Sequence, residues 1–310
     1  MTEITAAMVK DLRTKTGAGM MDCKEALREN NGALEASIDW LRTKGLAKAA
    51  KKSDRIAAEG LVAVAVADTK GAVIEVNSET DFVARNTQFT DMVGQIAQLA
   101  LTVDGDYDAL RQAIFPNTEK SVEAHIAEMV GTIGENMSLR RAVGLSVEQG
   151  VVAAYIHSQT VEGQGKIGVL VALDSTGDKA KLAVLGKQLA MHIAATNPLA
   201  INIEALDPKT IAREREILAA EAQDSGKPQE IIEKMVEGRL QKFYQDVVLL
   251  KQTFVIDNEN TIEKTLKNAE LELGAPIALT GFARFGLGEG IDKGETEDFA
   301  AEVAAATKQT

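Results

Sequence analysis

Residues 77–86, NSETDFVARN, put a carboxylate, Asp81, beside an aromatic ring, Phe82, where a strand pattern gives way to a helix pattern. A carboxylate at a helix mouth accepts from unpaired N–H groups of the first turn and suits the positive end of the helix dipole. Ser78-Glu79-Thr80-Asp81 also fits the S-x-x-D capping pattern. Phe82 stands seven residues before Phe89, on nearly the same helical face, which favours a place in the core. The other use of such a ring is as a tool presented to a partner. Spacing favours packing, and by itself it leaves the second role open.

The remaining reactive side chains are sparse. His125, His157 and His192 do not have the spacing of metal ligands, and the single Cys23 has no partner near it, which argues against zinc. Cys23 lies in a short helical segment and reads as a packed apolar residue rather than a nucleophile. His192 follows Met191 on a helix with an apolar stripe and reads as a packing histidine. His157, at a strand end in YIHSQ, suits surface and core equally. No G-x-x-x-x-G-K-[ST] loop is present, and Gly286, Gly288 and Gly290 form a G-x-G-x-G without the nucleotide fingerprint. The chain is expected to carry no catalytic residue, no resident metal and no cofactor.

Composition narrows the classes further. The chain of 310 residues is long enough for two or three modules, each with its own core. Aromatic residues make up 4 % and alanine is abundant, so helix-rich modules with thin cores are expected. A formal charge of −12 disfavours general affinity for nucleic acid or an anionic membrane, because phosphate binding needs clustered Lys and Arg. The lone cysteine suits a reducing compartment, no apolar run approaches a membrane span, and MTEITAAMVKDLRTKTG lacks the form of a signal peptide. The cytoplasm is the expected location.

Stepping along the chain, 1–54 reads as a three-helix module with apolar faces at Val9 and Leu12, around Met21–Glu29, and at Leu34, Ile38 and Leu41 toward Gly45. LAKAAKKSDRIAAEG follows as a basic helical connector. From Gly60 the period changes to two: GLVAVAVADTKGAVIEVNSE predicts a hairpin, followed by a helix with Phe89, Met92, Val93 and Ile96 on one stripe. VVAAYIHSQTVEGQGKIGVLVALDS repeats the hairpin, followed by a helix with Leu182, Leu185, Leu189 and Ile193. The core is therefore a duplicated ββα unit, with 55–140 as its first half and 141–200 as the start of its second. VEAHIAEMVGTIGENMSLRRAV, between the copies, reads as helical, interrupted by Gly131 and Gly134. Residues 201–250 predict an inserted antiparallel helical hairpin, with Asp207-Pro208 at its start and SGKP as its turn. The stretch 251–288 supplies a last strand, IALTGFARFGLG, to the second sheet, and 289–310 form a short helical module. The fold class is α+β with antiparallel sheets.

Three stretches, TKTGAGMMDCKEAL (14–27), EVNSETDFVARN (75–86) and SGKPQEIIEKMVEGR (225–239), together resemble the bacterial elongation factor Ts family. KIGVLVAL, AMHIAA and DFAAEVAA extend the likeness over nearly the whole chain. The resemblance implies a guanine-nucleotide exchange factor for elongation factor Tu, with an N-terminal module like a ubiquitin-associated domain, a duplicated α+β core and a helical arm that pairs two copies. It implies that Thr80, Asp81, Phe82 and Val83 wedge into the GTPase near its magnesium ion, so Phe82 becomes an exposed wedge rather than a core residue. It also nominates Lys24, Ile133, His157, Val255 and Ile256 as partner contacts. Two other classes remain alongside: a binding scaffold that leaves nucleotide release unchanged, and a hydrolase using Cys23 or Asp81.

Overall fold

The computed structural model describes residues 4–223 and 228–292. Most of the expected SGKP turn and the whole expected helix EDFAAEVAAATKQT lie outside the described residues.

Helices α1 (Ala6–Thr16), α2 (Met20–Glu29) and α3 (Leu34–Ala50) bury Leu12, Cys23, Ala26 and Leu27 between them. Gly17 ends α1 in the left-handed region, where a side chain would be strained. The sequence reading stops the third helix at Gly45, but α3 runs through it. Gly45 instead marks a helix crossing: a Cβ placed on Gly131 would lie 2.7 Å from the Gly45 Cα. Two glycines let the helices approach this closely and seat the N-terminal module on the core.

Strands β1 (Glu59–Ala67) and β2 (Lys70–Ser78) form the first hairpin and are followed by α4 (Thr87–Thr102). Two shorter helices, α5 (Tyr107–Gln112) and α6 (Val122–Ile133), lead into β3 (Met137–Ser146), which pairs with β2. MSLRRAV is thus a strand and not the helix expected from the sequence. Its charged Arg140 and Arg141 hid the period-two pattern, because they point to a buried acid rather than to solvent. The second hairpin, β4 (Gly150–Val161) and β5 (Gln164–Asp174), is followed by α7 (Lys179–Thr196). The arm is α8 (Pro208–Gln223) and α9 (Gln229–Val247), with a small core of Leu218, Ala222, Ile232, Val236 and Leu240. The chain closes with α10 (Ile262–Leu273), absent from the sequence reading, and β6 (Ala278–Gly286), which pairs with β5 as expected.

The duplication is larger than a ββα unit. An isolated bridge Ile114–Ser121 in the first half is matched by Thr253–Thr261 in the second. Phe115 donates its N–H to the Lys120 carbonyl and Phe254 to that of Asn260, each at 2.8 Å. Ser121 and Thr261 cap α6 and α10, and both helices end in left-handed glycines, Gly134 and Gly274. Each half is therefore a hairpin, a long helix, a capped shorter helix and a third strand. The arm is inserted after α7 of the second half, its root pinned where the Leu199 N–H donates to the Val247 carbonyl at 2.8 Å.

Layering explains the apolar runs. The six strands form one curled sheet, in the order β3-β2-β1-β5-β4 with β6 also on β5. In β2, Ala72, Ile74 and Val76 face α4 and α6, while Val73 faces the other half of that sheet. In β5, Val169, Val171 and Leu173 face α7 and α10, while Leu170 and Ala172 meet Val73 inside the curl. Strands covered on both faces lose the alternation of polar and apolar residues. Direct pairing between the halves is brief, limited to Val62–Gly165 and Ala63–Gln164 between β1 and β5.

A buried carboxylate secures that junction. Glu75 of β2 is fully buried and accepts from Arg140 Nη1 at 3.0 Å, Arg141 Nε at 2.6 Å, Asn77 Nδ2 at 3.0 Å and the Gly288 N–H at 2.8 Å. Arg141 continues to the Gly286 carbonyl and lies over the Phe285 ring. Burial by itself would raise the Glu75 carboxyl, but the hydrogen bonds from Gly288, Asn77 and Arg141 outweigh it and hold it below the usual glutamate range. Replacing it as Glu75→Gln leaves two guanidinium groups short of a charge partner. The expected loss is about 3 kcal/mol of unfolding free energy at neutral pH, read by urea titration. Because the folded carboxyl is depressed, its contribution is complete above the unfolded value of about 4.3 and drains away as pH falls through the lower folded value. Wild type and variant should therefore converge in acid, and equal stability at neutral pH would show that the junction is held by other contacts.

Candidate functional site

The strand-to-helix link in the first half runs over 79–86, whereas the matching link in the second half runs only over 175–178. The second copy makes the same connection with half the chain, so a link of this length is not needed to join the strand to the helix.

This link is not the helix mouth expected from the sequence. Val83–Arg85 form one 3-10 turn, Asn86 is extended, and α4 starts at Thr87 with the Asn86 side chain accepting from the Gln88 N–H. The interruption resets the helical phase, so the seven-residue spacing from Phe82 to Phe89 no longer places both on one face. Phe89 is sealed in the core, while Phe82 is 79 % exposed. The capping pattern is likewise unused: Ser78 Oγ donates to the Thr80 carbonyl at 3.0 Å, and Asp81 pairs with Arg85 at 3.3 Å on the surface.

The ring is exposed, and its support is firm. Val83 and Ala84 are buried in the first core, just after Phe82. Before it, Thr80 donates its N–H to Glu135 Oε2 at 3.0 Å and its hydroxyl to Glu135 Oε1 at 2.7 Å. Glu79 Oε1 accepts the Asn136 N–H at 2.6 Å, and its other oxygen faces Arg55 at 3.5 Å. Residues 79–80 are thus laced to 135–136, directly beyond Ile133, which is half-buried against the same core. Thr80, Asp81, Phe82, Val83 and Ile133 therefore form one feature, with Val83 as its anchor.

Lys24 lies on the exposed side of α2, opposite Cys23, Ala26 and Leu27. Met20 and Met21 share that side, Met21 being 77 % exposed, and the sequence reading did not single them out. The signal was available for Met21, which falls off the face set by Cys23, Ala26 and Leu27, but not for Met20, which lies three residues before Cys23 and seven before Leu27 and shares that face by spacing. The preceding loop carries Gly17, whose position for a Cβ is 3.4 Å from Gln88 of α4 and Thr132 of α6. The start of α2 and the Phe82 link thus adjoin the same end of the first half.

His157, Val255 and Ile256 belong to the second half. His157 is exposed on β4, its Nδ1 3.2 Å from the Tyr155 hydroxyl. Val255 and Ile256 are exposed directly after the buried Phe254. Their loop is set by His192, which is fully buried, as the sequence reading expected of a packing histidine. The Val255 N–H donates to His192 Nδ1 at 3.3 Å, so Nε2 carries the proton and donates to Gln252 Oε1 at 2.9 Å. Burial holds the imidazole below its ordinary range, which preserves the Nδ1 acceptor.

The reactive groups are poorly placed for covalent chemistry. Cys23 is buried, its thiol is pushed up by burial, and it faces the Ala18 carbonyl and the Thr16 hydroxyl. Among the described residues no group of three or more His, Cys, Asp or Glu side chains could hold a metal ion, and no helix is long and apolar enough to cross a membrane.

The family model described as Elongation factor TS matches residues 79–289. Elongation factor Ts of Parvibaculum lavamentivorans is 64 % identical over 308 residues, covering 99 % of this chain and 100 % of the relative. The proteins of the same name from Rhodospirillum centenum and Rhizobium meliloti are 59 % and 57 % identical over 305 residues, each covering 98 % of this chain and 99 % of the relative. With near-complete coverage at this identity, and a duplicated α+β core bearing the TDFV turn, the chain belongs to the elongation factor Ts family of translation elongation factors.

Proposed function

We propose that this chain is a guanine-nucleotide exchange factor acting on elongation factor Tu in the cytoplasm, with no covalent chemistry of its own. The observation that carries the reading is Phe82, a 79 % exposed ring held out from a buttressed turn that the second copy of the fold lacks. A single exposed apolar residue is ordinary, but this ring stands on a turn fixed on both sides, by Glu135 at Thr80 and by buried Val83 and Ala84, and such rigid aromatic anchors suit a partner pocket.

Exchange is then a matter of differential binding. The factor binds the nucleotide-free GTPase better than the loaded form, and by reciprocity it weakens nucleotide by the same factor. A thousandfold weakening requires roughly 4 kcal/mol of coupling. Burying one phenylalanine in a partner pocket supplies roughly 1.5 to 3 kcal/mol. The remainder comes from disturbing the partner's Mg²⁺, which bridges phosphate oxygens and protein. Phe82 separates two elements of the partner, and Asp81 competes for the hydrogen bonds that orient the magnesium ligands. Freeing Asp81 from Arg85 costs little, about 0.3 to 0.5 kcal/mol for an exposed i,i+4 pair. Lys24, Ile133, His157, Val255 and Ile256 supply further contact, and the arm pairs two copies through its outer faces, where Ile217 and Ile231 are exposed.

Fluorescent GDP release from elongation factor Tu tests the central claim. Phe82→Ala should slow catalysed release at least tenfold while changing unfolding free energy by less than about 1 kcal/mol, whereas Phe89→Ala should cost about 3 to 5 kcal/mol. A wild-type factor that forms the complex yet leaves GDP release unchanged would be a scaffold instead. Cys23→Ser should leave release as in wild type, and turnover without any GTPase that vanishes in this variant would point to a hydrolase. For the arm, an Ile217→Asp, Ile231→Asp double variant should sediment as a monomer where wild type sediments as a dimer; a monomeric wild type would refute the pairing.

A further inference from the structure

We propose that Glu135 is a positioning residue for the Phe82 turn, a role that rests on the exchange reading above and extends it to the residue that aims the wedge. Thr80 lies beyond the last ladder pairs of β2, which end with Ser78 opposite Glu59 and Met137. Its N–H and hydroxyl are taken by the two oxygens of one carboxylate, at 3.0 and 2.7 Å. Two hydrogen bonds to one charged group fix both the backbone and the side chain of the residue from which Asp81 and Phe82 depart.

The residues on either side of Glu135 are both held. Glu135 follows Gly134, whose left-handed conformation ends α6 and turns the chain back toward β2. Lys52 donates to the Gly134 carbonyl, and Asn136 Nδ2 donates to the Arg55 carbonyl at 2.7 Å. The neighbouring Asn136 N–H binds Glu79 at 2.6 Å. The segments 52–55, 79–80 and 134–136 thus make one knot, with Glu135 as its link to Thr80. Beyond Phe82 the chain is fixed independently by buried Val83 and Ala84. The ring sits between two anchors, and Glu135 supplies the upstream one.

The duplicate fold gives an internal comparison. After Gly274, the match of Gly134, the second half continues with Ala275 and Pro276 and has no carboxylate there. That half also has the short 175–178 link. The clamp is present where there is an exposed ring to hold and absent where there is none.

If Glu135 aims the ring, removing it should harm the step in which the ring acts more than the encounter that precedes it. Fluorescent GDP release from elongation factor Tu is measured against factor concentration for the full chain and its variants. Glu135→Ala should lower the maximal release rate about five- to thirtyfold, with the half-saturating concentration within about twofold of wild type. Glu135→Gln should restore most of the rate, since an amide oxygen still accepts from the Thr80 N–H and its NH₂ can donate to the hydroxyl oxygen. Thr80→Val, which removes the hydroxyl bond and keeps the backbone one, should fall between. In a Phe82→Ala background, Glu135→Ala should add nothing further, the mark of two residues acting as one device. Should Glu135→Ala fail to fold by circular dichroism, Thr80→Val and Glu135→Gln carry the same comparison. Wild-type rates for the Glu135 and Thr80 variants beside an impaired Phe82→Ala would overturn the positioning role and leave the exchange reading intact. So would full additivity, or a change confined to half-saturation. A wild-type rate for Phe82→Ala itself would overturn the wedge and its positioning together, whereas wild-type factor that does not accelerate GDP release would overturn the exchange reading.

Discussion

Two halves that share only two ladder pairs are made into one body by a carboxylate with nowhere to go. Glu75 is enclosed within the curl of the sheet and satisfied by Arg140 and Arg141 of β3 and by the Gly288 N–H that follows β6. A buried charge is tolerable only when paired and hydrogen-bonded, so the approach of the two halves is confined to the geometry that satisfies it. Apolar contact between Val73, Leu170, Val152 and Phe285 supplies area, but such contact alone allows sliding, whereas directed bonds do not. The proposed partner contacts fall on both halves, Phe82 and Ile133 on one, His157, Val255 and Ile256 on the other. A fixed relation between the halves holds these proposed contacts in one arrangement.

Duplication explains both the economy of the fold and the place where function departs from it. Each half repeats the same hairpin, long helix, capped helix and third strand, down to matched bridges and left-handed glycine caps. What differs is what each half adds at its links. The first lengthens the strand-to-helix connection and presents a ring; the second shortens it and inserts the arm after its long helix. Neither addition disturbs the core, because both enter where the chain is already at the surface. The support of the Phe82 turn follows a different rule from the arm's. The turn is short and pinned at both ends by buried or charged groups, while the arm carries its own small core and needs only its root secured.

Much of this was legible from residue order alone. Local periodicity gave the two hairpins, the long helices after them, the three-helix start and the arm, because each of these buries a face with a regular repeat. The family likeness rested on TGAGMMDCK and TDFVA, both read directly from the chain. Where the reading departed from the structure, the cause was contact with distant residues. β3 reads as helix from the sequence because its arginines serve Glu75, which is 65 and 66 positions earlier in the chain. Gly45 reads as a helix end because its partner at the crossing, Gly131, belongs to another module.

The chain itself determined most element types, the existence of a duplication and the motif that names the family, since these depend on short-range pattern. Only the tertiary structure decided whether Phe82 belongs to the core or to the surface. The sequence spacing assumed an unbroken helix from 82 to 89, and the break is imposed by partners that spacing does not register: Glu135 taking Thr80, and the first core taking Val83 and Ala84. Periodicity reports which face a residue would share if its element were regular; three-dimensional contact decides whether the element is regular.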